Sequence, residues 1–145
     1  MFKKILVPVD GSETAWRALK SAVELGQSFQ SEIIVFSVVQ PYNNSALLAI
    51  PMEAAPLAQS NVELNEIGRQ VLETAKEMTA DYQYKISYEI EMGHPSERII
   101  AKAKKADVDS IVLGCRGLSG IAEFFLGSVS SKVSQYASVP VLIVK

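Results

Sequence analysis

Glycines and hydroxyls gather in the last third of this chain in a pattern suited to anion binding. Gly114, Gly117, Gly120 and Gly127 make up half of its eight glycines, and Gly127 leads into Ser128-Val129-Ser130-Ser131 at the start of a predicted helix. Glycine lets a backbone turn tightly and lets a ligand approach without a Cβ in the way. A helix N-terminus flanked by hydroxyls offers free N–H donors and the positive end of the helix dipole. Arg116 adds a cation beside them. The same residues also fit a tight turn that packs a helix against a sheet, and patterning alone leaves both readings open. The common phosphate motifs are missing: no Gly-Lys dipeptide makes a Walker loop, and the G-x-G-x-x-G spacing does not occur.

Asp10 is the second candidate. It follows the apolar run Ile5-Leu6-Val7-Pro8-Val9 and precedes Gly11-Ser12, where it either caps the next helix or faces a ligand; its place beside Pro8 at a strand end favours the ligand. Other reactive types read as structural. His94 is the single histidine, which excludes a histidine-rich metal site, and its position before Pro95 suits a polar cap. Cys115, the single cysteine, reads as a small buried filler rather than a redox sensor. Glu89 and Glu91 alternate along a polar strand face and read as solvated, while Trp16 and Tyr136 read as packing.

These residues need a scaffold, and apolar periodicity supplies one. Buried strands are expected at Ile5–Val9, Ile33–Val39, Ile111–Leu113 and Val139–Val144, where apolar residues run without interruption. From Tyr84 to Met92 apolar residues instead alternate with Lys85, Ser87, Glu89 and Glu91, which places that strand at an edge or on a half-exposed face. Helical stripes fall on Ala15, Ala18, Leu19, Ala22, Leu25 and Phe29 after an N-cap at Ser12, and on Leu64, Ile67, Val71, Ala75 and Met78. Two more helices are expected, from Pro95 to about Ala106 and from about Ser128 to Ala137. The stretch Gln40–Asn61, punctuated by Pro41, Pro51 and Pro56, reads as a long apolar loop that closes over a ligand or docks a partner.

The order βαβαβαβαβ predicts an α/β fold: an open five-stranded parallel sheet with helices on both faces, Rossmann-like, in one domain spanning 1–145. Ligands bind such sheets outside the carboxyl ends of strands, so Asp10-Gly11-Ser12 and the loop from Gly114 are expected at the same end. The last strand, Val141–Val144, is apolar on both faces; as a sheet edge it would invite a second copy of the chain, and as an interior strand it would not.

Composition narrows the classes. The 145 residues are 48% apolar and 21% charged, with a formal net charge of −2, which argues against a nucleic-acid binder. No apolar run reaches the ~18 residues of a membrane span. One cysteine excludes an intrachain disulfide and suits a reducing compartment, so a cytoplasmic protein is expected.

The motifs together carry a resemblance. Gly114-Cys115-Arg116-Gly117, nine residues, then Gly127-Ser128 matches the G-x2-G-x9-G-[ST] signature of the ATP-binding universal stress proteins. Ile5-Leu6-Val7-Pro8-Val9-Asp10-Gly11-Ser12, Gly93-His94-Pro95 and the closing Pro140-Val141-Leu142-Ile143-Val144-Lys145 resemble that family in the same order, so the likeness covers the whole chain. The resemblance implies ATP with Mg2+ across the ends of the first and fourth strands. It implies that Pro8 and Asp10 border the adenosine, with Asp10 near the ribose or the metal, and that Val38 contacts adenine. Gly114, Arg116 and Gly117 then line the ribose and phosphate path, and Gly127, Ser128, Val129 and Ser130 hold the phosphates through N–H groups and hydroxyls. It implies a homodimer through Val141–Val144. Two departures stand out: Cys115 replaces the usual Ser or Thr, and Leu118-Ser119-Gly120 lacks the lysine of some members, leaving Arg116 as the nearby cation.

The leading reading is therefore a dimeric, nucleotide-dependent stress-response module with an unidentified protein partner. Catalysis is not expected to be fast. Phosphoryl transfer needs a positioned nucleophile and concentrated positive charge, and Ser128, Ser130, Arg116 and Asp10 come without a cradle lysine or an evident general base. No catalytic residue is assigned. The alternatives are a slow ATPase or adenine-nucleotide hydrolase, and a ligand-free dimeric scaffold that keeps its glycines for packing.

Overall fold

The computed structural model describes residues 1–41, 55–117 and 125–145. Strands and helices alternate along them: β1 (Lys4–Pro8), α1 (Glu13–Phe29), β2 (Glu32–Val39), α2 (Ala55–Met78), β3 (Ile86–Met92), α3 (Pro95–Lys105), β4 (Ser110–Gly114), α4 (Ser128–Tyr136) and β5 (Val141–Val144). The strands form one parallel sheet in the order β3-β2-β1-β4-β5. The chain walks outward from β1 to β3, then crosses to the other side of β1 for β4 and β5. That reversal puts the topological switch point between β1 and β4, where such sheets bind ligands.

The uninterrupted apolar runs have a simple cause. Successive strand side chains point to opposite faces, and both faces are covered. Ile5, Val7, Ile33, Val35 and Val112 pack with α1 residues Ala15, Ala18, Leu19 and Ala22, and with Leu72 and Ala75 of α2. Leu6, Ile34, Phe36, Ile111 and Leu113 point the other way, onto Ile99 and Ala103 of α3 and Val133 of α4. β3 lacks this double burial: all but exposed Met92 are half-buried, as its alternating pattern predicts.

β5 lies at the other edge and, among the described residues, pairs with β4 alone, which places it at an edge rather than in the interior. Leu142 there remains 40% exposed. Three local expectations need correction. α2 begins at Ala55, inside the stretch read as loop, because Pro56 falls in the first helical turn, where a missing N–H costs nothing. The rest of that stretch, 42–54, lies outside the described residues, as do Leu118, Ser119 and Gly120. Tyr136 is not a packing residue: at the end of α4 it is 66% exposed. Glu89 is not simply solvated either. It forms an ion pair with Lys102, whose side chain is only 10% exposed and whose Nζ sits 5.8 Å from the centre of the Phe36 ring.

Among the described residues, no helix is long and apolar enough to cross a membrane.

Candidate functional site

The carboxyl ends of β1, β2 and β4 meet the first turns of α1, α3 and α4 around a cleft of about 310 Å³, near the lower bound for a small-molecule pocket. All ten residues singled out from the sequence line it: Pro8, Asp10, Val38, Gly114, Arg116, Gly117, Gly127, Ser128, Val129 and Ser130. They come from four segments as far as 122 residues apart in the chain (8 to 130) and are assembled by the switch-point topology. Val9, Ser12, Ala15, Phe36, Gln40, Pro95, Ile99 and Leu113 complete the wall. Phe36 was legible in principle, since it stands two residues before Val38 on the same strand face. Pro95 and Ile99 share one helical face at a spacing of four, and neither residue type carries a sequence signal for a ligand.

The β1 side is built by a turn. Gly11 adopts φ of +87°, a conformation side chains rarely accept. It brings the Ser12 N–H to within 2.9 Å of Asp10 Oδ1, which accepts its hydrogen bond. Ser12 is the N-cap of α1, and its hydroxyl accepts from the Ala15 N–H at 3.3 Å. Oδ1 of Asp10 thus organises the turn that precedes α1, while Oδ2 lies 2.9 Å from where a Gly117 Cβ would stand.

The β4 side is tied down through the Cys115 and Arg116 peptides. Cys115 N–H donates to Val144 of β5 at 2.8 Å, and its carbonyl accepts from the Gly127 N–H at 2.8 Å and from the Ser130 hydroxyl at 2.8 Å. The Ser130 hydroxyl also lies 3.1 Å from the Gly127 carbonyl, and the residue is 2% exposed. That hydroxyl is therefore spent on the main chain, so Ser130 meets the cleft through its N–H rather than through Oγ. Cys115 itself is buried, the small filler read from the sequence.

α4 begins at Ser128, after Gly127 as N-cap, and Ser131 N–H donates back to Gly127 at 2.9 Å. Helix geometry leaves the N–H groups of Ser128, Val129 and Ser130 without a partner inside α4. These donors and the helix dipole present positive charge density to the cleft. Arg116 is the one cationic side chain among its described lining residues. Asp10 is the one carboxylate among the described lining residues.

That donor set bears on a metal. Among the described residues no group of three or more His, Cys, Asp and Glu side chains could hold an ion. Mg2+ does not need one: it is commonly held by one or two carboxylates with phosphate oxygens and water. Asp10, which shares the cleft lining with the first residues of α4, fits that mode.

His94 lies outside the lining. It occupies the N-cap position of α3 but makes no side-chain cap; its Nδ1 lies 3.2 Å from the buried Ser96 hydroxyl instead. Two groups with displaced pKa values also stand away from the cleft. Burial, and then the neighbouring Tyr84, push the Tyr82 hydroxyl up. Burial alone would raise Asp109, but hydrogen bonds from the Lys3 N–H, the Ser110 hydroxyl and the Lys4 N–H, with the N-terminal charge, hold it below the ordinary carboxylate value.

An open parallel α/β sheet with a cleft at its switch point defines the doubly wound α/β class of fold. The family model for the universal stress protein family matches residues 1–145, and the chain belongs to that family. Universal stress protein YxiE of Bacillus subtilis is 36% identical over 150 residues, covering all of both chains. The solved structure of MJ0577, a universal stress protein of Methanocaldococcus jannaschii, superimposes with a TM-score of 0.85 at 31% identity, covering 100% of this chain and 96% of that one. The universal stress protein of Archaeoglobus fulgidus in complex with dAMP shares the fold at 21% identity, with a TM-score of 0.71 and full coverage of both chains.

Proposed function

We propose that this chain is a regulatory stress-response module that binds ATP with Mg2+ in the β1–β4 cleft and acts as a homodimer. The observation that carries this reading is the α4 terminus: three N–H groups without helical partners line a cleft that also holds Arg116 and Asp10. Pro8 and Val38 flank the adenosine. Asp10 meets the ribose or the metal, and Gly114, Arg116 and Gly117 follow the ribose and phosphates. The N–H groups of Ser128, Val129 and Ser130 hold the phosphate end. A relative of the same fold is described in complex with dAMP, which is consistent with an adenine ligand.

Dimerisation uses Val141–Val144. A parallel edge strand with apolar side chains and one unpaired ladder side is a template for a second copy. The working compartment is the cytoplasm, in keeping with a lone buried thiol.

The test is to denature purified protein and identify the released small molecules by chromatography and mass spectrometry, with phosphate release followed in parallel. ATP or ADP near one per chain, with negligible phosphate release, is the expected result. Rapid phosphate release abolished by Ser128→Ala would replace the regulatory reading with an enzymatic one.

A further inference from the structure

The Arg116 carbonyl is held from the α1 side, and the residue that holds it is not among those read as nucleotide contacts. Thr14 Oγ1, in the first turn of α1, donates to the Arg116 oxygen at 2.5 Å. The Ser12 hydroxyl reaches the same oxygen only at 3.5 Å, too long to hold it alone. One residue earlier, the Cys115 carbonyl is taken by Gly127 N–H and the Ser130 hydroxyl, both at 2.8 Å. Two consecutive carbonyls are thus drawn away, one by α1 and one by α4.

The consequence follows from peptide geometry. In a trans peptide the C=O and N–H point in opposite directions, and no cis peptide occurs among the described residues. With the Arg116 oxygen fixed on Thr14, the Gly117 N–H on the same peptide turns away from α1. Gly117 lines the cleft and faces Asp10 Oδ2. An N–H turned into such a concavity attracts an anion, whereas a carbonyl in its place would repel one.

We propose that Thr14 is a positioning residue for the anion end of the cleft. By capturing the Arg116 carbonyl it keeps that oxygen out of the path of the ligand's phosphates and presents the Gly117 N–H to them. This rests on the nucleotide reading above, and it predicts discrimination: Thr14 acts on the phosphate-bearing ligand and leaves the nucleoside portion alone.

The experiment compares wild type, Thr14→Ala and Thr14→Ser by titration calorimetry with ATP–Mg2+ and with adenosine. Thr14→Ala should weaken ATP–Mg2+ about tenfold, the loss of one charge-assisted hydrogen bond, and change adenosine affinity by less than about twofold. Thr14→Ser keeps the hydroxyl and should restore ATP–Mg2+ binding to within about twofold of wild type. Equal losses for both ligands, or no rescue by serine, overturn the proposal by reducing Thr14 to a packing residue. Unchanged ATP–Mg2+ binding in Thr14→Ala overturns it while leaving the nucleotide site standing. A wild type that binds neither ligand overturns the nucleotide reading itself. Far-ultraviolet circular dichroism and melting of each variant separate misfolding from lost positioning.

Discussion

Gly114 and Gly117 stand three residues apart in the same glycine-rich segment, yet the structure gives them different duties, which substitution separates. A Cβ built on Gly114 would lie 2.6 Å from Thr14 Oγ1, 2.7 Å from the Thr14 carbonyl carbon and 2.9 Å from the Ala15 nitrogen. Two of those atoms are backbone of the first turn of α1, which cannot swing aside as a side chain can. Carbon contacts prefer about 3.5–4.0 Å, so Gly114→Ala must push α1 from β4 by roughly 0.8 Å. Overpacking of this kind costs about 2–3 kcal/mol, partly offset by the ~0.4–1 kcal/mol that alanine removes from unfolded-chain entropy. At ~2–4 °C per kcal/mol for a domain near this size, the net loss of about 1–2.6 kcal/mol should lower Tm by about 2–10 °C. Gly117→Ala is different: its nearest described neighbour is the Asp10 Oδ2 tip at 2.9 Å, the mobile end of a carboxylate. Its Tm should stay within about 2 °C of wild type, while ATP–Mg2+ affinity falls at least about tenfold, because the methyl group occupies the face presented to the ligand. Differential scanning calorimetry and isothermal titration on the two variants provide the comparison. An unchanged Tm in Gly114→Ala would refute the packing argument. Intact nucleotide binding in Gly117→Ala, with Tm lowered as in Gly114→Ala, would mean that the glycines serve packing alone.

Further predictions concern the metal and the fold. Asp10→Asn keeps an acceptor for the Ser12 N–H but removes the charge, so it should weaken ATP binding in the presence of Mg2+ more than in its absence, read by titration with and without chelator. Tyr82→Phe removes the hydroxyl that donates to the buried Ser31 carbonyl at 2.6 Å, leaves that acceptor unpaired, and should cost about 1–3 kcal/mol by urea unfolding at constant m-value. Asp109 has a folded pKa below its unfolded value of about 3.9. Its stabilisation is therefore fully present above that unfolded value and lost as pH falls through the lower folded one. Asp109→Asn should flatten the acid limb of the stability curve below about pH 4, and an unchanged limb would contradict the assignment.

Much of this molecule was legible in its sequence for physical reasons. Doubly buried parallel strands must be apolar on both faces, so Ile5–Val9 and Ile33–Val39 announced themselves, and β3 betrayed its half-exposed position through period two. Asp10 and the glycine–serine segment around Gly114–Gly117 and Gly127–Ser130 were legible because strand-end position and glycine spacing are local signals, whereas Pro8 and Val38 as contacts came from the family resemblance. The start of α2 was missed because proline has opposite meanings in a helix interior and in its first turn, and only the three-dimensional chain says which applies. Ser130 illustrates another limit. Its type and place suit a phosphate contact, but the Cys115 carbonyl that claims its hydroxyl is fifteen residues away in sequence. Thr14 escaped notice for the same reason, since its partner at Arg116 is 102 residues distant. The Lys102–Glu89 pair joins helix to sheet across thirteen residues, and period two could show only that Glu89 leaves the apolar face.

The measurement that bears most directly on the central claim is titration of nucleotide-stripped wild-type protein with ATP–Mg2+, beside Gly117→Ala as a folded control. One site per chain for the wild type, and binding at least tenfold weaker in the control, is the predicted result. No heat from the wild type, in a preparation whose melting shows it folded, would contradict the account and leave a sheet whose glycines only pack.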